Sequence, residues 1–92
     1  MKIKYNPLFI QKFKNIWDYI SKDNIHSANK FQKQLEAKIN TIVNFPYKAR
    51  KSFYYDDNDI RDYIFKGYTI PYLINTAKDE IVILDIFKWI DK

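Results

Sequence analysis

The sequence predicts an α+β fold: an N-terminal β-strand, an antiparallel helical hairpin, then a three-strand antiparallel meander, with the helices packed on one sheet face. Three observations carry this. Apolar residues recur at spacings of three and four through two stretches of the first half. They alternate or crowd together through three short runs of the second half. The only glycine, Gly67, stands between the first two of those runs, where a turn is needed. No linker or internal repeat divides the 92 residues, so one small domain over residues 1–92 is expected.

Each element has its own signal. Lys2-Ile3-Lys4-Tyr5 alternates as a short strand does. Asn6-Pro7 starts a helix, because Asn caps and Pro has no N–H to leave unpaired in the first turn. Phe9, Ile10, Phe13, Ile16, Trp17 and Ile20 then form one apolar face up to about Ser21. After Ser21-Lys22-Asp23-Asn24, with Asp23 or Asn24 as cap, a second face runs through Ile25, Ala28, Phe31, Leu35, Ile39, Ile42 and Val43. Phe45-Pro46 ends it, since the residue before proline is pushed out of the α region. So short a break makes the two helices an antiparallel hairpin.

Residues 47–59 read as a connecting loop with room for one short extended piece. Ile60–Phe65 is the next strand, Lys66-Gly67 a tight hairpin turn, and Tyr68–Asn75 the following strand, with Tyr68, Ile70, Tyr72 and Ile74 on one face. Thr76–Asp79 turns the chain into Glu80–Phe87, apolar on both faces and so expected to be central. Pro71 is out of place in a strand, because it lacks a ladder donor and fits best at an edge or a bulge.

Composition excludes several classes of function. Without cysteine there is no disulfide, thiolate metal site or cysteine nucleophile. One histidine, His26, and scattered carboxylates give no metal site, and no cofactor is expected. No apolar run approaches the roughly 20 residues of a membrane span, and Met1-Lys2-Ile3-Lys4 does not lead a signal peptide, so a cytoplasmic protein without a membrane partner is expected. Sixteen basic residues, 14 of them lysine, against 11 acidic ones leave a net charge of +5. That excess suits an acidic partner or nucleic acid, and equally suits mere solubility.

Lys48, Arg50 and Lys51 form a basic run that reads either as a target-facing patch or as a solvated loop. Arg50 is the stronger candidate of the three, since its planar fork suits one defined carboxylate or phosphate. Arg61, the other arginine, opens a strand, where an ion pair with Asp62, Asp85 or the Asp56–Asp59 run competes with target binding. His26, in the first turn of the second helix, reads as a surface residue near a cap.

In their order and spacing these pieces resemble the RelE/ParE superfamily of toxins from bacterial type II toxin–antitoxin systems, closest to the ParE-like branch. The resemblance rests on the opening strand with Pro7, Trp17-Asp18-Tyr19-Ile20 leading into Asp23-Asn24, and Ala28 and Phe31. It continues through Pro46 with Arg50, Ile60-Arg61, Gly67-Tyr68-x-Ile70-x-Tyr72 and Ile83-Leu84-x-Ile86, so it covers nearly the whole chain. It implies a toxin neutralised by a cognate antitoxin, with DNA gyrase as the target of ParE-like members and ribosome-bound mRNA as the substrate of RelE-like ones. A homo-oligomer and a toxin–antitoxin hetero-oligomer are both open.

RNA cleavage needs a cation where charge develops on the phosphate, together with an acid and a base. RelE-like members are similar to one another in placing an arginine after the aromatic that opens the second hairpin strand. Here Thr69 follows Tyr68, and a hydroxyl supplies no cationic fork. Past the last strand Lys88 keeps a charge, but no tyrosine or histidine follows it. Both departures argue against cleavage and for an inhibitor that binds its target. The resemblance also implies a role for the C-terminal region, which makes Trp89 a candidate with Lys48, Arg50, Lys51, Arg61 and Lys88. Two alternatives stay open: an endonuclease with those lysines and Arg50 around the phosphate, and a non-toxic relative that only binds antitoxin.

Overall fold

A computed structural model describes residues 1–88. The chain runs β1 (Lys2–Tyr5), α1 (Pro7–Asp23), α2 (Ile25–Thr41), a 3-10 turn (Ile42–Asn44), β2 (Arg50–Lys51), β3 (Ile60–Phe65), β4 (Tyr68–Asn75), β5 (Glu80–Ile83) and β6 (Phe87–Lys88). Asn6 caps α1, its side chain accepting from the Leu8 N–H at 2.9 Å, with Pro7 in the first turn. Asn24 serves both helices. Its N–H donates to the Ile20 carbonyl at 3.1 Å, closing α1, and its side chain accepts from the N–H groups of His26 and Ser27, opening α2. One extended residue therefore makes the hairpin corner, and α1 runs two residues past Ser21 to reach it.

The sheet order is β1-β5-β4-β3-β2, with β6 also paired to β4. The meander β3-β4-β5 is antiparallel, while β1 joins β5 in parallel, which makes the sheet mixed. The extended piece in the 47–59 loop is β2, antiparallel to β3. The strand β4 is the middle one, and β5, the first part of the expected last strand, is also interior, between β1 and β4.

The expected strand Glu80–Phe87 is broken, and Pro71 explains the break. Tyr72 pairs with Ile83 and Thr69 pairs with Phe87, so three residues, 84–86, stand opposite two, 70–71. The Leu84 N–H donates to the Pro71 carbonyl at 2.9 Å. The two polar positions of a strand residue lie on the same side, so the nitrogen of Pro71 that cannot donate also faces this bulge. An extra residue there relieves the ladder of a bond that proline cannot make.

Both helices pack on one sheet face around Phe9, Phe31, Leu35, Ile39, Phe65, Ile70, Tyr72, Ile74, Ile81 and Ile83. Ring contacts link the layers, from Tyr5 to Phe9, Phe13 and Phe31, and from Phe31 to Phe65 and Tyr68, with centroids 5.4–6.1 Å apart. Two residues expected on the inner faces are out in solvent. Ile10 is 55% and Ile25 54% exposed. The contact stripe of α1 is Phe9-Phe13-Ile16-Ile20, and Ile10 sits one step to its side, while Ile25 opens α2 at the corner. The Tyr72 hydroxyl donates to the Pro46 carbonyl, and burial pushes its pKa up to about 12.

Lys66 (φ 49°) and Gly67 (φ 84°) both have positive φ, as a two-residue I′ hairpin turn requires. Nothing lies within 4 Å of where a Gly67 Cβ would stand, so only the backbone resists substitution. Gly67→Ala is expected to lower stability by roughly 1–2 kcal/mol, read as a lower urea midpoint at unchanged slope, and Gly67→Asn by clearly less. The Tyr72 phenol holds its proton more tightly folded than unfolded, so its contribution is whole below pH 10 and is lost as pH rises toward 12. The urea midpoint should fall across that window, and the fall should be shallower in Tyr72→Phe.

Candidate functional site

The sheet face away from the helices carries Thr69, the residue that follows Tyr68. Alternation puts Asp62 and Ile64 of β3, Thr69 and Pro71 of β4 and Phe87 of β6 on that face. Thr69 is fully buried, and its hydroxyl has no hydrogen-bond partner among the described residues. Its ladder partner Phe87 is also buried and takes the ring of Tyr54 edge-on, with centroids 5.0 Å apart. The segment after β2 thus folds back across this face. The Phe53 N–H donates to Asp62 Oδ2 at 3.0 Å, and the Tyr54 N–H donates to Ser52 Oγ at 3.1 Å.

Two buried carboxylates hold the surrounding pieces. Asp62 lies 3.6 Å from Arg50 Nε, and the Arg50 guanidinium stacks over the Phe53 ring at 4.0 Å. Asp85, in the bulge, pairs with Lys12 of α1 at 2.9 Å. Tyr55 lies close enough to both for its phenol to be pushed up, by burial first and then by the charges of Asp85 and Asp62. Asp62 and Asp85 had no assigned partner in the sequence beyond Arg61, and neither partner found is a neighbour along the chain.

Arg61 pairs with none of the expected carboxylates. It projects from the opposite side of β3 to Asp62, because successive strand residues alternate. Its guanidinium donates to the carbonyl of Ala49 at 3.2 Å and reaches that of Tyr47 at 3.5 Å, over the Tyr47 ring. The Tyr47 hydroxyl in turn donates to Asp59 Oδ1 at 2.8 Å. Arg61 is placed to brace the 47–59 loop.

The remaining candidates are spread over different cavities. Lys48 and Arg50 line a cleft of about 590 Å³ between the end of α2 and the β3 edge. Lys51 borders a hollow with residues 52–56. Lys88 lines a cleft of about 470 Å³ with Lys12, Tyr19 and Tyr68. Trp89 lies outside the described residues, and His26 is exposed beside the corner. Among the described residues no three His, Asp or Glu side chains gather in a way that could hold a metal ion. No described helix is long and apolar enough to cross a membrane.

Residues 3–88 match the family described as the ParE toxin of type II toxin–antitoxin systems. This chain belongs to that family. The fold agrees. A chain of the chromosomal ParDE system from P. aeruginosa superposes with a TM-score of 0.76 at 18% identity, covering 96% of this chain and 95% of that one. A chain of the intact E. coli RelBE toxin–antitoxin complex superposes with a TM-score of 0.65 at 11% identity, covering 96% of this chain and all of that one. No curated protein sequence matches significantly.

In this ParE-family chain the sequence marked Thr69 by its residue type, but not its burial. The contact of Tyr54 with Phe87 had only a weak signal, three consecutive aromatics at 53–55. A buried hydroxyl with no partner is unfavourable, and valine has nearly its shape. Thr69→Val is expected to raise stability by about 1 kcal/mol in chemical denaturation. A loss of stability instead would mean that the hydroxyl makes a bond the fold depends on.

Proposed function

We propose that this ParE-family toxin acts in the cytoplasm by binding DNA gyrase, without chemistry of its own, and that a cognate antitoxin neutralises it. The observation that carries the binding mode is Thr69. The position that would present a cation to RNA is a threonine with no exposed surface, behind Phe87 and the loop that seats Tyr54. Stabilising a developing phosphate charge requires donors aimed at an open site, and this one is filled. Family membership supports the toxin role and the antitoxin partner.

The surface that meets the target is assigned to Lys48, Arg50 and Lys51 at one sheet edge and to Lys88 with Trp89 at the other end of the chain. The described four are exposed cations on a molecule of net charge +5, which favours fast association with an acidic surface. Lys12 adds charge beside Lys88, although Asp85 neutralises much of it.

Induction in growing bacteria tests the reading, with supercoiling activity in the extract and mRNA integrity at codons measured together. Lost supercoiling with intact mRNA is the expected result. Codon-phased cuts with normal supercoiling would replace gyrase by the ribosome, and unaffected growth would leave a protein that only binds its antitoxin. A Lys48→Glu, Lys51→Glu double variant should fold normally and lose at least tenfold in inhibition, as two reversed charges at a contact surface demand.

A further inference from the structure

We propose that the solvent-facing ridge of α2 is a contact surface for the phosphate backbone of duplex DNA, held by Lys30, Lys33 and Lys38 without reading its sequence. The contact does not depend on the gyrase reading, and none of the three lysines is among the cations assigned to the target.

Charge is uneven along the chain. Residues 24–55 carry six lysines and arginines against one carboxylate, Glu36, while residues 56–92 carry more carboxylates than cations. Three of the six cations stand on α2, and all three are exposed. At 3.6 residues per turn, Lys33, Lys30 and Lys38 fall within about 140° of arc, outside the buried stripe Ala28-Phe31-Leu35-Ile39. Glu36 leans to the far flank, where it accepts from Gln32 Nε2 at 3.0 Å and borders the hollow beside Tyr5. Among the described residues no carboxylate pairs with Lys30, Lys33 or Lys38, whereas Lys4, Lys12 and Arg50 each have one. The Lys66 ammonium reaches over from the β3–β4 turn and donates to the side chain of Gln34, which lies one turn from both Lys30 and Lys38. It adds a fourth cation at the edge of the ridge.

The composition of the ridge selects the partner. A protein interface has a desolvated apolar centre and is poor in lysine. Among the described residues of α2 the one large apolar side chain that is exposed is Ile25, at the corner where the helix begins. Single strands are held by bases stacked on aromatic rings, and the one ring that α2 exposes is the His26 imidazole, in its first turn. A phosphate backbone needs neither feature. It needs unpaired cations on a convex surface. Lys30 and Lys38 stand about 12 Å apart along the helix axis, and the major groove of B-DNA is about 12 Å wide. The two ammoniums therefore reach phosphates on opposite walls of the groove, with Lys33 beside Lys30. DNA gyrase works on DNA, so a toxin held weakly on the same polymer meets its target at a raised effective concentration. That consequence alone rests on the gyrase reading.

The test titrates the full chain into a fluorescein-labelled duplex of about 20 base pairs, followed by anisotropy between about 50 and 200 mM salt. Binding is expected at micromolar protein in the lowest salt, with log K falling against log salt at a slope of about −3, close to one for each lysine. Duplexes of different base composition should bind alike. Lys30→Gln with Lys38→Gln keeps the helix propensity and should bring the slope to about −1, with at least tenfold weaker binding in low salt. The control pair Lys2→Gln with Lys78→Gln removes the same charge from β1 and from the β4–β5 turn, and should leave slope and affinity unchanged. A slope near zero overturns the proposal, as does a wild-type slope in the Lys30 and Lys38 pair or an equal loss in the control pair. Tighter binding of single-stranded polyuridylate or of polyglutamate than of the duplex overturns it too. No gyrase is present in the titration, so its failure leaves the toxin reading standing. Normal supercoiling in the extract would likewise leave the DNA contact standing.

Discussion

Pro71, in the middle of the sheet's central strand, is the constraint on which the end of the sheet around Thr69 and Phe87 depends. It is fully buried and cannot donate toward the strand that follows. The ladder accommodates it by inserting a residue, so the last strand is split into β5 and β6 with residues 84–86 between them. The split has two consequences. It frees Asp85 to turn to Lys12 of α1, tying the helical layer to the end of the sheet. It also re-registers Phe87 opposite Thr69, where its ring meets Tyr54 on the second face. One missing N–H thus shapes the sheet face that holds Thr69.

The two arginines show how alternation divides labour among neighbours. Asp62 and Arg61 are adjacent in the chain and never meet, because one strand step reverses the direction of the side chain. Asp62 takes Arg50 from across the ladder and the Phe53 N–H from the loop. Arg61, on the helix side, takes loop carbonyls instead. The loop between β2 and β3 is therefore gripped from both faces of β3, which holds Tyr54 in place over Phe87. A buried carboxylate alone would be costly, and each of these two is compensated by a cation and by a backbone N–H.

Much of the fold was legible because its signals are local. Asn6-Pro7 and Asn24 mark helix ends through bonds within four residues, and Phe9, Phe13, Ile16 and Ile20 report a helix by spacing alone. Gly67 announced the hairpin, though not that Lys66 would share its positive φ. Pro71 announced trouble in its strand, but the response came from residues 84–86, far along the chain. The candidate site was legible as a set of residue types and illegible as an arrangement. Lys48, Arg50 and Lys88 look alike in sequence, and the structure puts the first two in one cleft and Lys88 in another.

By itself the sequence determined the helical hairpin, the β3–β4 turn, the family's order of elements and the absence of an arginine after Tyr68. All of these are set by spacing, capping or identity along a short stretch of chain. Only the tertiary structure decided that β1 lies parallel to β5, that β2 stops short of Ile64, and that Thr69 is shut in by Phe87. Those are long-range pairings. Register between distant strands depends on which faces must be buried and which donors are missing, and no local pattern encodes that choice.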